Sequence, residues 1–379
     1  MNEASQSTHV SAGKSGEPRI AIMAITKHSA ALSQKLRDLL PGADLFIPDK
    51  FASQVSGDRA ILFKEKVSKK LGELFTSYDN LVLFISLGAV VRMLAGHLKD
   101  KRYDPGVVVV DDRGRFAISV LSGHMGGANA LARRVADLLG AQPVITTASD
   151  VGETIAVDLF GRDLGWRMES DVHVTQVSAA VVNEEPVGVL VETGETSWWP
   201  GGKPLPASIH VHATLDELAA ANPNAALIVT DRLLGESYAA LLKKAVAYRP
   251  RSLVVGVGCK KGASADEIEG LLRQTLQDAG LSVKSVRNLA SIDAKRGEPG
   301  LEEVARRLGV PIVYYTAEQL NAVEGVENES QAAQAAVGAK GVCEPAALLS
   351  AGAAKLLVSK RKTTSVTVAV ARVEFSKKT

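Results

Sequence analysis

Cysteine is nearly absent: the 379 residues contain only Cys259 and Cys343. Two isolated thiols exclude a disulfide framework and fit a reducing cytoplasm, where the chain is expected to reside. They also exclude zinc sites built on paired cysteines. An excess of charge of either sign is lacking. Lys and Arg number 44 against 42 Asp and Glu, a net charge of +2, so there is no general electrostatic case for nucleic acid. A local basic pocket for an acidic small molecule remains open. Long apolar runs are lacking too. The longest, Leu81–Val91, is too short to span a bilayer and is followed by Arg92, so no membrane role is expected. Residues 1–17 are polar and small, with no apolar secretory segment, and read as a disordered tail. No repeat of solenoid period is present.

What is present is an ordinary globular composition, 46% hydrophobic and 23% charged, with length enough for cores that need no metal or disulfide staple. At about 150 residues per domain, two or three domains are expected. Arg19–Thr26 and Leu81–Ser86 read as buried strands, each followed by a helical pattern (His28–Leu40, Gly88–His97). A further helix is expected over Phe63–Phe75 and a short apolar run at Leu45–Pro48. Val107–Val110 and Arg115–Val120 flank Gly114 as a hairpin, and Pro143–Thr147 is a short strand. These patterns place an N-terminal domain at 18–150.

From 151 to 248 the patterns weaken. Val177–Val182 and Val187–Glu192 read as a second hairpin, and Thr214-x-x-Glu217 as a helix cap. A third domain, 249–379, opens on the strand Leu253–Gly258 and the cap Ser264-x-x-Glu267. Ser282–Val286 and Pro311–Tyr315 read as strands, and Thr316-x-x-Gln319 as a cap. Glu324–Lys340 reads as a mobile loop, Pro345–Leu357 as a helix and Ser365–Val373 as a final strand. The expected class is α/β: two βαβ-type domains with mostly parallel sheets flanking a smaller α+β middle domain.

Several turns could carry chemistry. Gly88-Ala-Val-Val-Arg92 follows a strand and opens a helix, so Gly88 and Arg92 could seat an anion; from these residues alone, tight strand–helix packing and a solvated Arg are the better reading. Leu121-Ser-Gly-His-Met-Gly-Gly-Ala-Asn129 sets His124 among glycines at another strand-to-helix turn. A neutral imidazole there is a candidate general base, with Ser122 and Asn129 as oxyanion donors. The alternative is a turn with a structural His. Lys101-Arg102-Tyr103-Asp104 and Asp111-Asp112 could join His97 or His124 at a metal, but no metal-ligand spacing is present and a solvated hairpin is the better reading. Gly256-Val-Gly-Cys-Lys-Lys-Gly262 is neither a dinucleotide fingerprint nor a Walker A loop; Lys260 and Lys261 suit an anion, and Cys259 suits packing. Leu289–Gly300 and Gly341–Ala347 are further polar turns. All are expected at the carboxyl ends of strands, where open α/β sheets bind ligands.

On these strings the chain resembles the cobalt-precorrin-5A hydrolase (CbiG-type) family of cobalamin biosynthesis. The resemblance rests on Ser86–Arg92, Asp104-Pro-Gly-Val-Val-Val-Val-Asp111, Leu121–Asn129, Pro143–Ala148, Gly256–Gly262, Ala290–Leu301 and Thr367–Arg372. It covers about 19–373 and is weak in the middle. Lys260 stands where the family more often has Arg, which keeps charge but loses the bidentate fork. The resemblance implies opening of a δ-lactone on a cobalt-containing tetrapyrrole, then loss of acetaldehyde to give cobalt-precorrin-5B. It implies no protein metal or cofactor, because cobalt comes with the substrate, and neighbouring corrin-pathway methyltransferases as partners. On that reading His124, Ser122 and Asn129 are the catalytic candidates. Gly88, Arg92, Lys101, Gly126, Gly127, Gly258, Lys260 and Lys261 are the substrate-binding candidates. The rival is a tetrapyrrole-binding escort without chemistry.

Overall fold

The computed structural model describes residues 18–56, 60–100, 103–200, 203–324, 334–335 and 337–375. The expected tail, Lys101, Arg102 and most of the 324–340 segment lie outside them. The chain divides into two compact units at Glu153/Thr154.

Unit 1 is built on seven strands: β1 (Ile20–Ala24), β2 (Ala43–Pro48), β3 (Ala60–Phe63), β4 (Asn80–Phe84), β5 (Gly106–Val110), β6 (Phe116–Leu121) and β7 (Gln142–Val144). Their order is β3-β2-β1-β4-β5-β6-β7. The first five are parallel, β6 is antiparallel to β5, and β7 is parallel to β6. Helices α1 (Lys27–Leu39), α2 (Val67–Ser77), α3 (Leu87–Leu94), α4 (Ala128–Leu139) and the short α5 (Ala148–Val151) complete the unit. Successive strand residues point to opposite faces. Ile20, Ile22 and Ala24 therefore join Ala30, Leu36 and Val135 in one core. Ala21 and Met23 join Leu71, Phe75, Val90 and Leu94 in the other. With helices on both faces, strand residues are buried whichever way they point, so β1 and β4 are continuous apolar runs. The expected helix over Phe63–Phe75 begins later, at Val67. Residues 60–63 instead form the edge strand β3.

Unit 2 carries two five-stranded sheets. The first has order β10-β9-β11-β12-β8, from β8 (Arg167–Met168), β9 (Val187–Val191), β10 (Ile209–His212), β11 (Ala225–Val229) and β12 (Ala245–Arg249). Four of these are parallel and only β8 is antiparallel. Helices α6 (Val174–Val182), α7 (Leu215–Ala221) and α8 (Ala239–Leu242) alternate with them. The middle region, expected as α+β, thus shares the α/β pattern of its neighbours. The expected hairpin is corrected: Val177–Val182 is part of helix α6, not a strand. Val177, Ala180 and Val181 pack under the sheet, and that burial outweighs the strand preference of valine.

The second sheet has order β15-β14-β13-β17-β16, from β13 (Leu253–Cys259), β14 (Val286–Ile292), β15 (Ile312–Tyr315), β16 (Leu356–Lys362) and β17 (Val366–Arg372). Helices α9 (Ala265–Asp278), α10 (Pro299–Leu308), α11 (Ala317–Asn321) and α12 (Cys343–Ala351) surround it. β13, β14 and β15 are parallel, and the β16–β17 hairpin runs antiparallel against β13. Two expected boundaries move. Strand β14 starts at Val286 after a 3-10 turn over Val283–Ser285. Helix α12 stops at Gly352, φ 64°, so the expected helix to Leu357 gives way to β16.

Gly256 lets α12 approach β13: a Cβ there would lie 1.8 Å from the Cys343 carbonyl oxygen and 2.9 Å from the Ala347 nitrogen. Both obstacles are backbone and cannot rotate away. Gly256→Ala should therefore lower stability by about 3 kcal/mol, the upper end of ordinary overpacking, read as a lower urea midpoint at unchanged slope. Gly270→Ala in α9, where nothing lies within 4 Å, should instead gain up to about 1 kcal/mol from helix propensity.

Candidate functional site

Strand direction divides the candidate turns into separate places. Gly88 and Arg92 follow β4 and lie at the carboxyl edge of β1–β5. The His124 turn follows β6, which runs the other way, so it lies at the amino edge of those same strands. There Gly126 packs on Gly106, the first residue of β5: a Cβ on Gly126 would be 3.0 Å from the Gly106 nitrogen. Each of these two turns thus lies at the carboxyl end of its own strand, as expected, but the reversal of β6 puts them at opposite edges of the sheet. Arg92 is exposed, with Nη1 donating to the Gly88 carbonyl at 3.2 Å, back onto its own helix. Lys101 lies outside the described residues. Asp111 accepts from the backbone N–H groups of Arg113, Arg115 and Phe116, so it shapes the β5–β6 turn. Asp112 accepts from Thr26. Among the described residues no group of three or more His, Cys, Asp or Glu could hold a metal.

The carboxyl ends of β6 and β7 bring a polar cluster around His124. Nε2 of His124 lies 3.0 Å from Asp150 Oδ2 and 3.1 Å from Ser149 Oγ. Asn129 Nδ2 donates to Asp150 Oδ2 at 2.8 Å and to Thr147 Oγ1 at 2.9 Å. Arg133 Nη2 donates to Asp150 Oδ1 at 2.6 Å. Burial alone would push the Asp150 carboxyl up, but the hydrogen bonds from Arg133 and His124 outweigh it and hold the group below its ordinary range. The expected influence on His124 was a helix end favouring the neutral ring. The larger local feature is this anionic partner.

The turn itself is tightly built. Ser122 takes φ 51°, a left-handed conformation rare for a residue with a side chain and a form of strain that clusters at functional sites. A Cβ on Gly126 would lie 2.4 Å from Ser122 Cβ, and one on Gly123 would lie 2.6 Å from Asn129 Oδ1. The glycines therefore admit neighbouring residues of the turn itself. Two expectations change. The Asn129 side-chain amide is engaged by Asp150 and Thr147 and is 4% exposed, so it is not presented to a ligand. The Gly127 N–H bonds the His124 carbonyl at 3.0 Å and is not offered as a donor either.

The C-terminal sheet holds a cavity of about 600 Å³ at the carboxyl ends of β13 and β14, within the range of about 300–1,000 Å³ usual for small-molecule sites. Gly258, Lys260 and Lys261, three of the substrate-binding candidates, line it, and Lys295 and Lys360 join them. The four ammonium groups come from the ends of β13 and β14 and from β16. Glu344, 1% exposed, lines the cavity at the start of α12 and accepts from the Lys360 N–H at 2.8 Å. Lys295 also lies 3.5 Å from Glu298. Glu267, expected only as a capping residue, accepts from Thr363 and Ser365 at 2.6 Å each and fixes the β16–β17 turn that forms one wall. Gly258 keeps that wall close: a Cβ there would lie 2.7 Å from Thr367 Oγ1. Both cysteines line the cavity. Burial pushes the Cys343 thiol up to about 11 and raises Cys259 as well. Neither therefore supplies a thiolate nucleophile at neutral pH.

The sequence pattern does not mark Asp150, Ser149 and Arg133, which lie 9–26 residues from His124 in the chain, or Lys360, which lies between the expected helix Pro345–Leu357 and the expected strand Ser365–Val373. Only Lys295 was inside a quoted polar turn.

The fold and these two sites define an α/β protein with a histidine–carboxylate cluster in one unit and a lysine-lined cavity in the other. Comparison with known proteins makes the assignment specific. The profile described as Cobalamin synthesis G N-terminal matches residues 69–150, Cobalamin biosynthesis central region matches 155–250, and Cobalamin synthesis G C-terminus matches 253–371. The protein called Cobalt-precorrin-5A hydrolase from Priestia megaterium is 46% identical over 356 residues, covering 94% of this chain and 95% of that one. Its namesake from Salmonella typhimurium is 34% identical over 342 residues, 88% and 92% of the two chains. Protein CobE from a Sinorhizobium species is 37% identical over 121 residues, 31% of this chain and 79% of that protein. This chain belongs to the CbiG family.

Proposed function

We propose that this protein is a cobalt-precorrin-5A hydrolase acting in cobalamin biosynthesis, a hydrolase that opens the δ-lactone of its substrate and releases acetaldehyde to leave cobalt-precorrin-5B. The observation that carries the reading is the 46% identity to a curated protein of that name across nearly the full length of both chains. Cobalt enters as part of the substrate, and the proposal needs no further cofactor. Neighbouring corrin-pathway methyltransferases remain the partners we propose for substrate transfer.

The chemistry asks for two proton transfers. Water loses a proton as its oxygen attacks the lactone carbonyl, and the ester bond breaks to give a carboxylate and a hydroxyl on the methyl-bearing carbon. Loss of that hydroxyl proton then turns the C–O electrons into the carbonyl of acetaldehyde. The carbon–carbon bond to the macrocycle breaks, its electron pair stays with the macrocycle, and a proton is returned there. His124 is the group we assign to these transfers, with Ser122 and Gly126 at the turn beside it. General base catalysis of this kind is worth about 100- to 10,000-fold.

Binding falls to Lys260, Lys261, Lys295 and Lys360, whose ammonium groups suit the peripheral carboxylates of the tetrapyrrole. The match to CobE spans 121 residues, 31% of this chain. Gly88 and Arg92 lie away from the His124 edge and could serve only a remote carboxylate.

The Lys260→Ala/Lys261→Ala double variant should weaken substrate binding about 10- to 100-fold, given about 1.5–3 kcal/mol for a charge-assisted hydrogen bond and about 1.4 kcal/mol per tenfold. Added salt should weaken the parent more than the variant. Equal affinity of variant and parent, measured by titration of tetrapyrrole absorbance, would place the carboxylate seat elsewhere.

A further inference from the structure

We infer that Glu298 is the positioning residue of the lysine-lined cavity, holding its cations in register for a ligand that carries several carboxylates. The inference rests on the binding role proposed above for these lysines. Lys260 and Lys261 stand on the loop between β13 and α9, and Lys295 on the loop between β14 and α10. Glu298 joins the two loops. Its Oε1 accepts from the N–H of Gly262, the residue after Lys261, at 2.8 Å. Its Oε2 lies 3.5 Å from Lys295 Nζ. Glu298 is buried, and the Lys295 side chain is 15% exposed, so neither partner is loose in solvent.

Local chemistry explains why this glutamate bridges rather than caps. Glu298 is the N-cap residue of α10, yet its side chain makes no capping bond to that helix. Pro299 opens the helix, and its missing N–H leaves one orphan donor fewer. The Leu301 and Glu302 N–H groups already reach the Glu298 carbonyl. The first turn thus asks little of the cap, and the long side chain crosses to the neighbouring loop. Gly300 lets the loops sit close, since a Cβ there would strike the Ala263 carbonyl oxygen. Lysine ammonium groups are compact charges on flexible stems, so where they converge depends on how their loops are held. A single carboxylate is met by either loop alone. Several carboxylates on one ligand gain most when both loops are fixed beforehand.

Two variants of the full chain separate reach from charge, with uroporphyrin, a stable tetrapyrrole bearing acetate and propionate on every ring, titrated by absorbance. Glu298→Asp keeps the charge but is one methylene shorter, and aspartate is a good N-cap, so its melting temperature should be at or above the parent's. Uroporphyrin binding should nonetheless weaken about tenfold, the size of one charge-assisted hydrogen bond. It should also fall less steeply with added salt, because fewer ammonium groups meet the ligand together. Glu298→Gln keeps the reach and an acceptor for Gly262, and should bind within about threefold of the parent. Parental affinity in Glu298→Asp would overturn the inference. So would a Glu298→Gln variant as weak as Glu298→Asp, which would make charge rather than reach decisive. A melting temperature that falls together with affinity in Glu298→Asp would make the residue merely structural. A parent that consumes cobalt-precorrin-5A without binding uroporphyrin would also count against the inference. A parent that binds uroporphyrin but leaves cobalt-precorrin-5A intact would overturn the proposed hydrolase alone, and the contrast between the two variants would still decide the role of Glu298.

Discussion

His124→Asn is expected to lower turnover of cobalt-precorrin-5A by at least about 100-fold, the lower bound for loss of a general base, with folding and tetrapyrrole binding largely retained. The substitution is mild in shape. An asparagine amide can still donate to Asp150, so the carboxylate anchored by Arg133 and Asn129 is not abandoned in a half-buried site. What is lost is a nitrogen lone pair basic enough to take a proton from water at neutral pH. The lysine cavity lies in the other unit and does not contain His124, so affinity should change little. Single-turnover assays with the parent and variant at matched saturation read the effect on chemistry alone. Acetaldehyde release at a near-parental rate would remove His124 from the mechanism. Failure to fold would make the turn a structural element.

The second large effect is on stability, within unit 2. Asp231 follows β11 and is completely buried. Its carboxylate accepts from both Arg372 Nε and Nη2 at 2.8 Å, and from Ser252 Oγ at 2.7 Å. Its backbone carbonyl accepts from Ser282 at 2.7 Å. One aspartate thus joins the middle sheet to β17 and to the segment before β13. Arg372→Met keeps the apolar stem but leaves a buried carboxylate without its counter-charge. Removing one partner of a buried ion pair costs about 3–5 kcal/mol, which lowers the melting temperature by roughly 6–20 °C in a domain of this size. Adding Asp231→Asn to Arg372→Met should recover part of the loss, because the stranded charge is then gone. A melting temperature within about 2 °C of the parent, less than 1 kcal/mol by that scale, would show that water or another group already satisfies Asp231.

Much of the fold was legible because its strands are buried on both faces. Arg19–Thr26, Leu81–Ser86 and Leu253–Gly258 are apolar runs bounded by polar turns, and each coincides with an observed strand to within two residues at either end. The hairpin at Gly114 and the caps at Thr214, Ser264 and Thr316 were also readable, since their signals are local. Val177–Val182 was not. Six small and branched residues suit a buried helix as well as a strand, and only packing decides. The end of α12 was readable in principle, because Gly352 is a left-handed C-cap glycine of the usual kind.

The sites were legible in parts. His124 stood out because its glycine neighbours are a local pattern, whereas Asp150 did not, because nothing local marks a carboxylate that arrives one βαβ crossover later. Lys295 and Lys360 converge with Lys260 only once β13, β14 and β16 are placed side by side. The split between Arg92 and His124 followed from a hairpin that the sequence already displayed. A strand that reverses carries its carboxyl end to the opposite edge, so the rule about carboxyl ends applies to each strand direction separately.

The most direct test of the proposed activity is anaerobic incubation of the purified protein with cobalt-precorrin-5A, measuring acetaldehyde and tetrapyrrole mass in the same sample. The account predicts one acetaldehyde per substrate consumed, and a product lighter than the substrate by acetaldehyde less one water. Substrate bound by the protein but recovered at unchanged mass, with no acetaldehyde, would contradict it and leave a tetrapyrrole-binding escort.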